Sequence, residues 1–320
     1  MITVIAGGVG AARFLRGLVR VVAPVDISAV VNTADDTVLH GLSISPDIDT
    51  VTYTLADEID PERGWGLRHE TWRAMGALAR FEGVRPAGSA AAPTWFNLGD
   101  QDLATHFYRT ARLAEGATLT DVTAEIARAF GVSLRILPMT DDRVQTRITV
   151  EGEGEISFQE YFVRRHHSVA VSGVRFDGSD TARPSVVAVA ALRDATAVII
   201  APSNPIVSIA PVRALAGVDE ILSARRDRVS AVSPIVGGAA LKGPADRMLA
   251  ELGHEPTVVG VAHLYAPIAS TLIIDPVDAH LVDRIEAIGM RAVVVPSVMS
   301  TPEIAADLAR AALAAAGIGV

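Results

Sequence analysis

A strand, a glycine-rich turn, a helix and a second strand open this chain. Residues 2–6 are an apolar run, the turn occupies residues 7–10, and residues 13–22 carry apolar side chains at helical spacing. Residues 27–31 form a second run that is rich in β-branched side chains. Continuous apolar strands that alternate with helices are typical of a parallel sheet covered on both faces. The opening therefore predicts an α/β fold of the nucleotide-binding type.

The same alternation returns in the second half of the chain. Further strands are predicted at 197–201, 230–233, 257–261, 272–274 and 292–295, and further helices at 185–192, 219–224, 245–252, 279–288 and 302–315. The middle of the chain predicts helices at 71–81, 103–114 and 120–130, and a β-hairpin at 144–150 and 155–158. We therefore predict one discontinuous domain over 1–320, with a Rossmann-like, mostly parallel sheet and helices on both faces. Its core is expected at 1–52 and 168–320, and a mainly helical insertion with the hairpin at 53–167.

Composition and charge exclude several classes of function. The chain has 28 Lys and Arg against 37 Asp and Glu, a net charge of −9, which is unfavourable for binding a nucleic-acid backbone. The absence of Cys excludes disulfides, thiolate metal sites and a Cys nucleophile. Because no stretch reads as a membrane span or a secretion signal, we expect a cytoplasmic protein without a membrane partner.

The glycine-rich turn offers backbone amides to an anion. It reads Gly7-Gly8-Val9-Gly10, and it precedes a helix whose first free N–H groups point toward the turn. Arg13 stands where the dinucleotide fingerprint has its third glycine, and the second strand ends without the acidic residue that holds a ribose. These departures disfavour a nicotinamide-dependent oxidoreductase. We predict phosphate binding here, with a tight strand-to-helix turn as the alternative.

Acidic residues are concentrated in the polar segment at 32–52, which is predicted to be irregular, and just after it. They are Asp35, Asp36, Asp47, Asp49 and Asp57. Clustered carboxylates repel one another unless a cation or a proton lies between them. Mg²⁺ takes one or two carboxylates and leaves its other positions to water and phosphate oxygens. Asp47 and Asp49 on one loop would suit such an ion, whereas aspartates that only stabilise turns are the alternative.

An aromatic and polar segment precedes the helix predicted at 103–114. Residues 95–102 read Trp-Phe-Asn-Leu-Gly-Asp-Gln-Asp, in which we expect Asp102 to cap the helix. The mixture of rings, amide and carboxylates suits a flat heteroaromatic ligand, whereas a capping turn with buried aromatic residues is the alternative. His40 and His106 lie near the two acidic segments and are the histidines most suited to a site.

Two loops that follow the later strands add further candidates. Ser203 and Asn204 lie between prolines, where their side chains can contact a nucleobase edge or a phosphate. Gly237, Gly238 and Lys242 lie in a second glycine-rich loop, which precedes a helix and carries one positive charge. Ordinary turns between strand and helix are the alternative for both loops.

In their order and residues, these motifs resemble the 2-phospho-L-lactate transferases, which make the deazaflavin coenzyme of archaea and actinobacteria. The resemblance is carried by residues 7–10, 30–36, 44–51, 98–106, 137–142, 202–205 and 232–235. Each segment alone is weakly specific, but together they are collinear and extend over nearly the whole chain. The composition, rich in Ala and Arg and poor in Lys, suits an actinobacterial member.

The resemblance implies a group-transfer reaction. The donor is a guanosine diphosphate ester of lactate or, in actinobacterial relatives, of enolpyruvate. The ribityl hydroxyl of the acceptor, 7,8-didemethyl-8-hydroxy-5-deazariboflavin, attacks the phosphorus nearer the carboxylic acid unit, and GMP leaves. The family needs Mg²⁺ and is usually dimeric, so the resemblance also implies a Mg²⁺ cofactor and a homodimer.

The resemblance and the chemistry of the motifs together assign roles. Asp47 and Asp49 are the predicted catalytic residues and Mg²⁺ ligands. The predicted acceptor-binding residues are Asp36, His40, Asp49, Thr50, Asn97, Gly99 and Asp100. The predicted nucleotide- and phosphate-binding residues are Gly7, Gly8, Val9, Gly10, Arg13, Ser203, Asn204, Gly237, Gly238 and Lys242. Many relatives carry a basic residue at the position of Asn97, so this chain departs from the family pattern there.

A regulatory protein that binds a nucleotide sugar without turnover is the alternative from another functional class. Such proteins have a related fold and resemble this chain in the glycine turn and in residues 32–36. They are not expected to reproduce residues 95–106 and 137–142 together. Binding of GDP rather than a UDP-sugar or NAD, and retention of the deazaflavin, would distinguish the transferase.

Overall fold

The computed structural model describes residues 1–89 and 91–319. Its strands are β1 (Ile2–Ala6), β2 (Ile27–Val31), β3 (Thr37–Leu39), β4 (Leu42–Ile44), β5 (Arg135–Pro138), β6 (Gln145–Val150), β7 (Gly154–Ser157), β8 (Val171–Asp177), β9 (Ala197–Ile200), β10 (Val229–Val232), β11 (Ile235–Val236), β12 (Ala239–Ala240), β13 (Thr271–Ile274) and β14 (Arg291–Val294). Its α-helices are α1 (Val9–Leu18), α2 (Pro46–Leu55), α3 (Arg73–Leu78), α4 (Asp102–Ala114), α5 (Leu119–Ala129), α6 (Val186–Asp194), α7 (Ala210–Arg213), α8 (Val218–Ala224), α9 (Ala245–Glu251), α10 (Val258–Tyr265), α11 (Val282–Ala287) and α12 (Pro302–Ala315).

The main sheet contains seven strands in the order β14-β13-β10-β9-β1-β2-β5, and all neighbours are parallel. From β1 the chain first adds β2 and β5 on one side and then returns to add β9 on the other side. The topological switch point therefore lies between β1 and β9. In open α/β sheets, ligands bind in the crevice at the carboxyl ends of the strands at such a point.

Apolar side chains from the main sheet alternate between two cores, one on each face. Val4 of β1 packs with Phe14 of α1 and Leu313 of α12, whereas the adjacent Ile5 packs in the other core with Leu192 of α6. This alternation follows from the two-residue period of a strand. The predicted fold, a parallel Rossmann-like sheet with helices on both faces, is confirmed.

The predicted strand at 257–261 is wrong, because this segment begins α10. The side chain of Thr257 accepts a hydrogen bond from the Val259 amide and caps the helix. Most of α10 is buried, including Val258, Val259 and Val261. A helix buried on several sides lacks an amphipathic period, so its β-branched residues resemble a buried strand in sequence.

The segment at 32–52 is more regular than expected. Strands β3 and β4 form an antiparallel hairpin whose turn holds His40 at φ 56° and Gly41 at φ 76°. Helix α2 then begins at Pro46, whose fixed φ favours the first position of a helix. Asp47 and Asp49 therefore lie in the first turn of a helix and not on a loop.

Strand pairing differs in two places from the predicted division into core and insertion. Strand β5 lies within 53–167 but pairs with β2 in the main sheet. Strand β8 lies within 168–320 but pairs with β6, which makes the predicted β6–β7 hairpin a three-stranded sheet. In the described residues, no helix combines the length and the apolar character that crossing a bilayer requires.

Candidate functional site

The turn after β1 and the loop after β9 meet at the switch point. The Gly7 amide donates a hydrogen bond to Ser203 Oγ at 3.2 Å. A Cβ atom on Gly10 would lie 2.0 Å from the carbonyl oxygen of Pro202, so only glycine permits this approach of the two backbones. The predicted phosphate-binding turn is thus fixed against the loop that carries Ser203 and Asn204.

Helix α1 begins at this turn without a side chain to satisfy its first amides. Gly8 is the N-cap residue, it provides no side-chain cap, and the first turn of α1 contains no acidic residue. The closest carboxylate comes from α2, where Asp47 Oδ1 lies 2.6 Å from the position that a Cβ on Gly8 would occupy. Free amides and the helix dipole favour negative charge at this helix start.

Three aspartates surround the end of β2 beside this helix start. Asn32 Nδ2 donates to Asp35 Oδ2 at 3.1 Å and to Asp47 Oδ2 at 3.0 Å, and Ser45 Oγ donates to Asp36 Oδ2 at 2.6 Å. Among the residues that the structure describes, Asp35 Oδ1 and Asp36 Oδ1 are buried without a hydrogen-bond partner. Buried acceptors without donors are costly, and carboxylate oxygens of this kind suit a divalent cation.

Burial makes the charged forms of these aspartates unfavourable. Burial, followed by the negative charge of Asp47, raises the pKa of Asp35 well above its ordinary value. Burial also raises the pKa of Asp36 well above its ordinary value, and a hydrogen bond from Ser45 opposes this shift. Burial raises the pKa of Asp47 to about 6, although the Asn32 hydrogen bond opposes this. A cation beside these groups would restore their charged forms.

Asp49 lies in a different environment from Asp47. Residues two positions apart in a helix do not share a face, and the Asp49 carboxylate contacts Arg109 of α4 through both of its oxygens. Burial raises the pKa of Asp49, and the Arg109 charge opposes this. Asp49 is therefore paired with Arg109, whereas Asp47 shares the Asn32 donor with Asp35, and joint binding of one ion by Asp47 and Asp49 stays a prediction.

Two cations lie near the glycine turn. Burial, and then the positive charge of Arg13, lower the pKa of Lys242, so the two predicted phosphate-binding side chains are close enough to repel each other. Within the described parts of the chain, neither Arg13 nor Lys242 forms a salt bridge. Lys242 Nζ lies 2.8 Å from the position of a Cβ on Gly64. Neighbouring cations without acidic partners suit an anionic ligand.

Other predicted nucleotide-binding residues have structural contacts. Asn204 Oδ1 accepts hydrogen bonds from two backbone amides and caps the helical turn Pro205–Ile209. Gly237 and Gly238 form a hairpin turn at φ 60° and 77° between β11 and β12. The Gly237 amide already donates to Asp278 Oδ2 at 2.9 Å. These contacts account for the residue types, and a guanosine contact stays a prediction.

The segment at 95–102 mainly connects two helices. The Asp100 carboxylate accepts hydrogen bonds from Thr71 and from the first amides of α3. Glu70 caps α4 by accepting from the amides of Gln101 and Asp102. A Cβ on Gly99 would lie about 2 Å from the Glu70 carboxylate, so a larger residue there would displace this capping side chain. The geometry favours a structural role for Gly99 and Asp100 over the predicted acceptor contact.

The remaining predicted acceptor-binding residues differ in exposure. Asn97 is exposed, His40 lies at the exposed tip of the β3–β4 hairpin, and Thr50 is buried within α2. Asp102 does not cap α4 as expected, because it is the first residue of the helix and accepts a hydrogen bond from Tyr53. Sequence reasoning missed Arg109 of α4, although its spacing from Asp102 and His106 would have placed all three on one helix face.

Comparisons with known proteins identify the family of this chain. Residues 2–305 match the model of the family described as 2-phospho-L-lactate transferase CofD. The chain is 40% identical over 320 residues to a phosphoenolpyruvate transferase of Kitasatospora aureofaciens, covering 98% of this chain and 97% of the relative. It is 38% identical over 335 residues to a phosphoenolpyruvate transferase of Mycobacterium tuberculosis, covering 99% of both chains.

A solved structure resembles the fold. A crystal structure of a UPF0052 family member from Bacillus halodurans superposes with a TM-score of 0.63 at 15% identity, covering 98% of each chain. At this level of identity the likeness concerns the fold alone. The family match and the curated relatives extend over nearly the whole chain and include the glycine turn and the aspartates of the site. The chain therefore belongs to the 2-phospho-L-lactate transferase CofD family.

Proposed function

We propose that this protein transfers a phospholactyl or phosphoenolpyruvyl group to the ribityl hydroxyl of 7,8-didemethyl-8-hydroxy-5-deazariboflavin. The donor is lactyl- or enolpyruvyl-diphosphoguanosine, and the released nucleotide is GMP. Membership of the CofD family and the names of the curated relatives support a transferase of this class. The observation that carries the proposal at the site is the approach of Asp47 to Gly8, which brings acidic side chains to a helix start suited to phosphate.

In this proposal the donor pyrophosphate binds at the start of α1. The free amides at Gly8, Val9 and Gly10 hold phosphate oxygens, and Arg13 and Lys242 neutralise part of the charge. The negative net charge of the whole chain does not oppose this, because the binding groups are local. Ser203 and Asn204, with the loop that contains Gly237 and Gly238, are proposed to lie on the guanosine side.

A Mg²⁺ ion suits the aspartates beside this turn. The buried, unpartnered oxygens of Asp35 and Asp36 and the raised pKa of Asp47 fit a divalent cation with oxygen ligands. We propose that Asp47 holds the ion with Asp35 or Asp36, in place of the pair Asp47 and Asp49. The ion would neutralise and polarise the donor pyrophosphate.

The protein contributes mainly by positioning and by compensating charge, as in other phosphoryl transfers. Asp49 is proposed to orient the ribityl hydroxyl and to accept its proton late in the reaction. A new bond forms between that oxygen and the phosphorus nearer the carboxylic acid unit. The bond from this phosphorus to the GMP oxygen breaks, and GMP leaves with the electron pair.

The proposal also includes a cytoplasmic location and a homodimer. Both rest on the family resemblance alone. Light scattering of the purified protein would measure the oligomeric state directly. A mass corresponding to one chain of 33.5 kDa would contradict the homodimer.

Product analysis tests the proposed reaction. The purified protein is incubated with the deazaflavin, Mg²⁺ and each guanosine donor in turn, and the products are analysed by mass spectrometry. We expect a new acidic deazaflavin together with an equal amount of GMP. No product with either donor would contradict the proposal. Tight binding of a UDP-sugar under the same conditions would instead favour the nucleotide-sugar-binding regulatory protein.

A further inference from the structure

A buried polar network joins α2 to α4. Asp102, His106 and Arg109 are spaced by four and three residues on α4, so they share one face of that helix. This face contacts Asp49 and Tyr53, which are spaced by four residues on α2. All five residues are at most 9% exposed, and Arg109 is completely buried.

Arg109 contacts both oxygens of the Asp49 carboxylate. Its Nη1 donates to Asp49 Oδ2 at 3.1 Å, and its Nη2 donates to Asp49 Oδ1. A bidentate contact of this kind fixes the plane of the carboxylate, which a single contact does not. The orientation of Asp49 therefore depends on a residue from another helix.

Arg109 is itself held in place by neighbours on α4. Its Nη1 lies 3.2 Å from His106 Nδ1, and because Arg can only donate, Nδ1 must accept. His106 Nε2 lies 3.3 Å from Asp102 Oδ2, close to the carboxylate but without the geometry of a hydrogen bond. Tyr53 donates to the other oxygen of Asp102 at 2.6 Å. The network thus continues from Tyr53 through Asp102 and His106 to Arg109 and Asp49.

The same residues also offer a geometry that resembles a metal site. One ligand atom each of Asp49, Asp102 and His106 lies within 4.8 Å of the others. The Arg109 guanidinium already contacts Asp49 there, and its positive charge opposes a cation at that position. The arrangement therefore suits an ion pair with supporting hydrogen bonds better than a metal centre.

We propose that Arg109 is a positioning residue, which holds the Asp49 carboxylate in the orientation that receives the acceptor hydroxyl. This inference rests on the proposed function, in which Asp49 contacts that hydroxyl. Arg109 does not contact substrate itself. In this view the buried face of α4 serves the acceptor side of the reaction.

A double-mutant cycle tests the inference. Arg109→Met, Asp49→Asn and the double variant are compared with the wild type, and Arg112→Met, on the same helix, is the control. We expect Arg109→Met to lower kcat by on the order of 100-fold with donor KM changed less than about threefold. Since Arg109 would act through Asp49, the double variant should be about as slow as Asp49→Asn alone. Arg112→Met should stay close to the wild type.

If the double variant shows the product of the two single losses in kcat, the inference is overturned. An Arg109→Met variant with unchanged kcat would also overturn it. If Arg109→Met does not fold, Arg109→Lys takes its place in the cycle, because it keeps the charge but loses the bidentate contact. Failure of the proposed function is distinguishable, because the wild type would then form no product with either donor.

Discussion

Asp47 Oδ1 lies 2.6 Å from the position that a Cβ atom on Gly8 would occupy. This contact joins the first turn of α2 to the first turn of α1. A carboxylate thus lies at the helix start where phosphate is expected, and it shares a donor, Asn32, with Asp35. The acidic cluster and the glycine turn are therefore adjacent, as the proposed site requires.

We predict that Gly8→Ala displaces the Asp47 carboxylate and weakens Mg²⁺-dependent GDP binding. The added methyl group would overlap Asp47 Oδ1, so the side chain has to rotate away from the turn. We expect an affinity loss of about tenfold, which corresponds to about 1.4 kcal/mol. Calorimetry with GDP and Mg²⁺ measures this. Gly76→Ala is the matched control, because a Cβ at Gly76 meets no atom within 4 Å; equal affinities in the two variants would contradict the prediction.

Gly10→Ala is predicted to destabilise the fold. The new Cβ would lie 2.0 Å from the Pro202 carbonyl oxygen, which is backbone and cannot rotate away. We expect a loss of about 1–3 kcal/mol in the free energy of unfolding, as for other overpacked sites. Urea denaturation measures the loss. Unchanged stability would show that the turn and the Pro202 loop are not held in close contact.

The ionisation of Asp47 should make stability depend on pH when no divalent cation is present. Its pKa in the folded protein is about 6, above its ordinary value of 3.8. The folded state therefore binds the proton more tightly than the unfolded state, and this stabilisation is present below pH 4 and is lost as the pH rises through 6. With EDTA present, we expect Asp47→Asn to gain roughly 2 kcal/mol relative to the wild type between pH 4.5 and pH 7.5.

Mg²⁺ provides the control for this pH dependence. At pH 7.5, Mg²⁺ should raise the Tm of the wild type but not that of Asp47→Asn, because ligand binding stabilises the folded state only where the site is intact. A wild type that gains stability relative to Asp47→Asn from pH 4.5 to pH 7.5 in EDTA would contradict the sign. An equal response of both proteins to Mg²⁺ would contradict the ligand assignment.

Asp100→Asn is predicted to act on stability and not on acceptor binding. The carboxylate caps α3 through the amides of Arg73 and Ala74. Loss of part of this cap should lower the Tm by about 2–4 °C. The acceptor KM should stay unchanged, in contrast to the substrate contact that the sequence predicts. A large rise in KM without a change in Tm would restore the substrate-binding interpretation.

Six of the seven strands of the main sheet could be predicted, because each is a short apolar run bounded by glycine, proline or polar residues. Strand β5 (Arg135–Pro138) was not predicted. Helix α10 could not be predicted, because its burial on several sides removes the hydrophobic period that distinguishes a helix from a strand. The glycine turn between the first strand and the first helix was predicted because its motif is local, whereas its position at the switch point follows from the order of the strands. The separation of Asp47 from Asp49 was missed, as it depends on α2 beginning at Pro46. Arg109 was missed because its role depends on the packing of α4 against α2, which no local pattern reports.

Crystals grown with GDP and Mn²⁺, measured for anomalous scattering, test the central claim most directly. Mn²⁺ prefers the same oxygen ligands as Mg²⁺ and identifies its own position in the map. We predict one ion bound by Asp47 together with Asp35 or Asp36 and by a GDP phosphate oxygen at the start of α1. An ion bound instead by Asp49, Asp102 and His106, or GDP bound away from Gly8 and Gly10, would contradict the account.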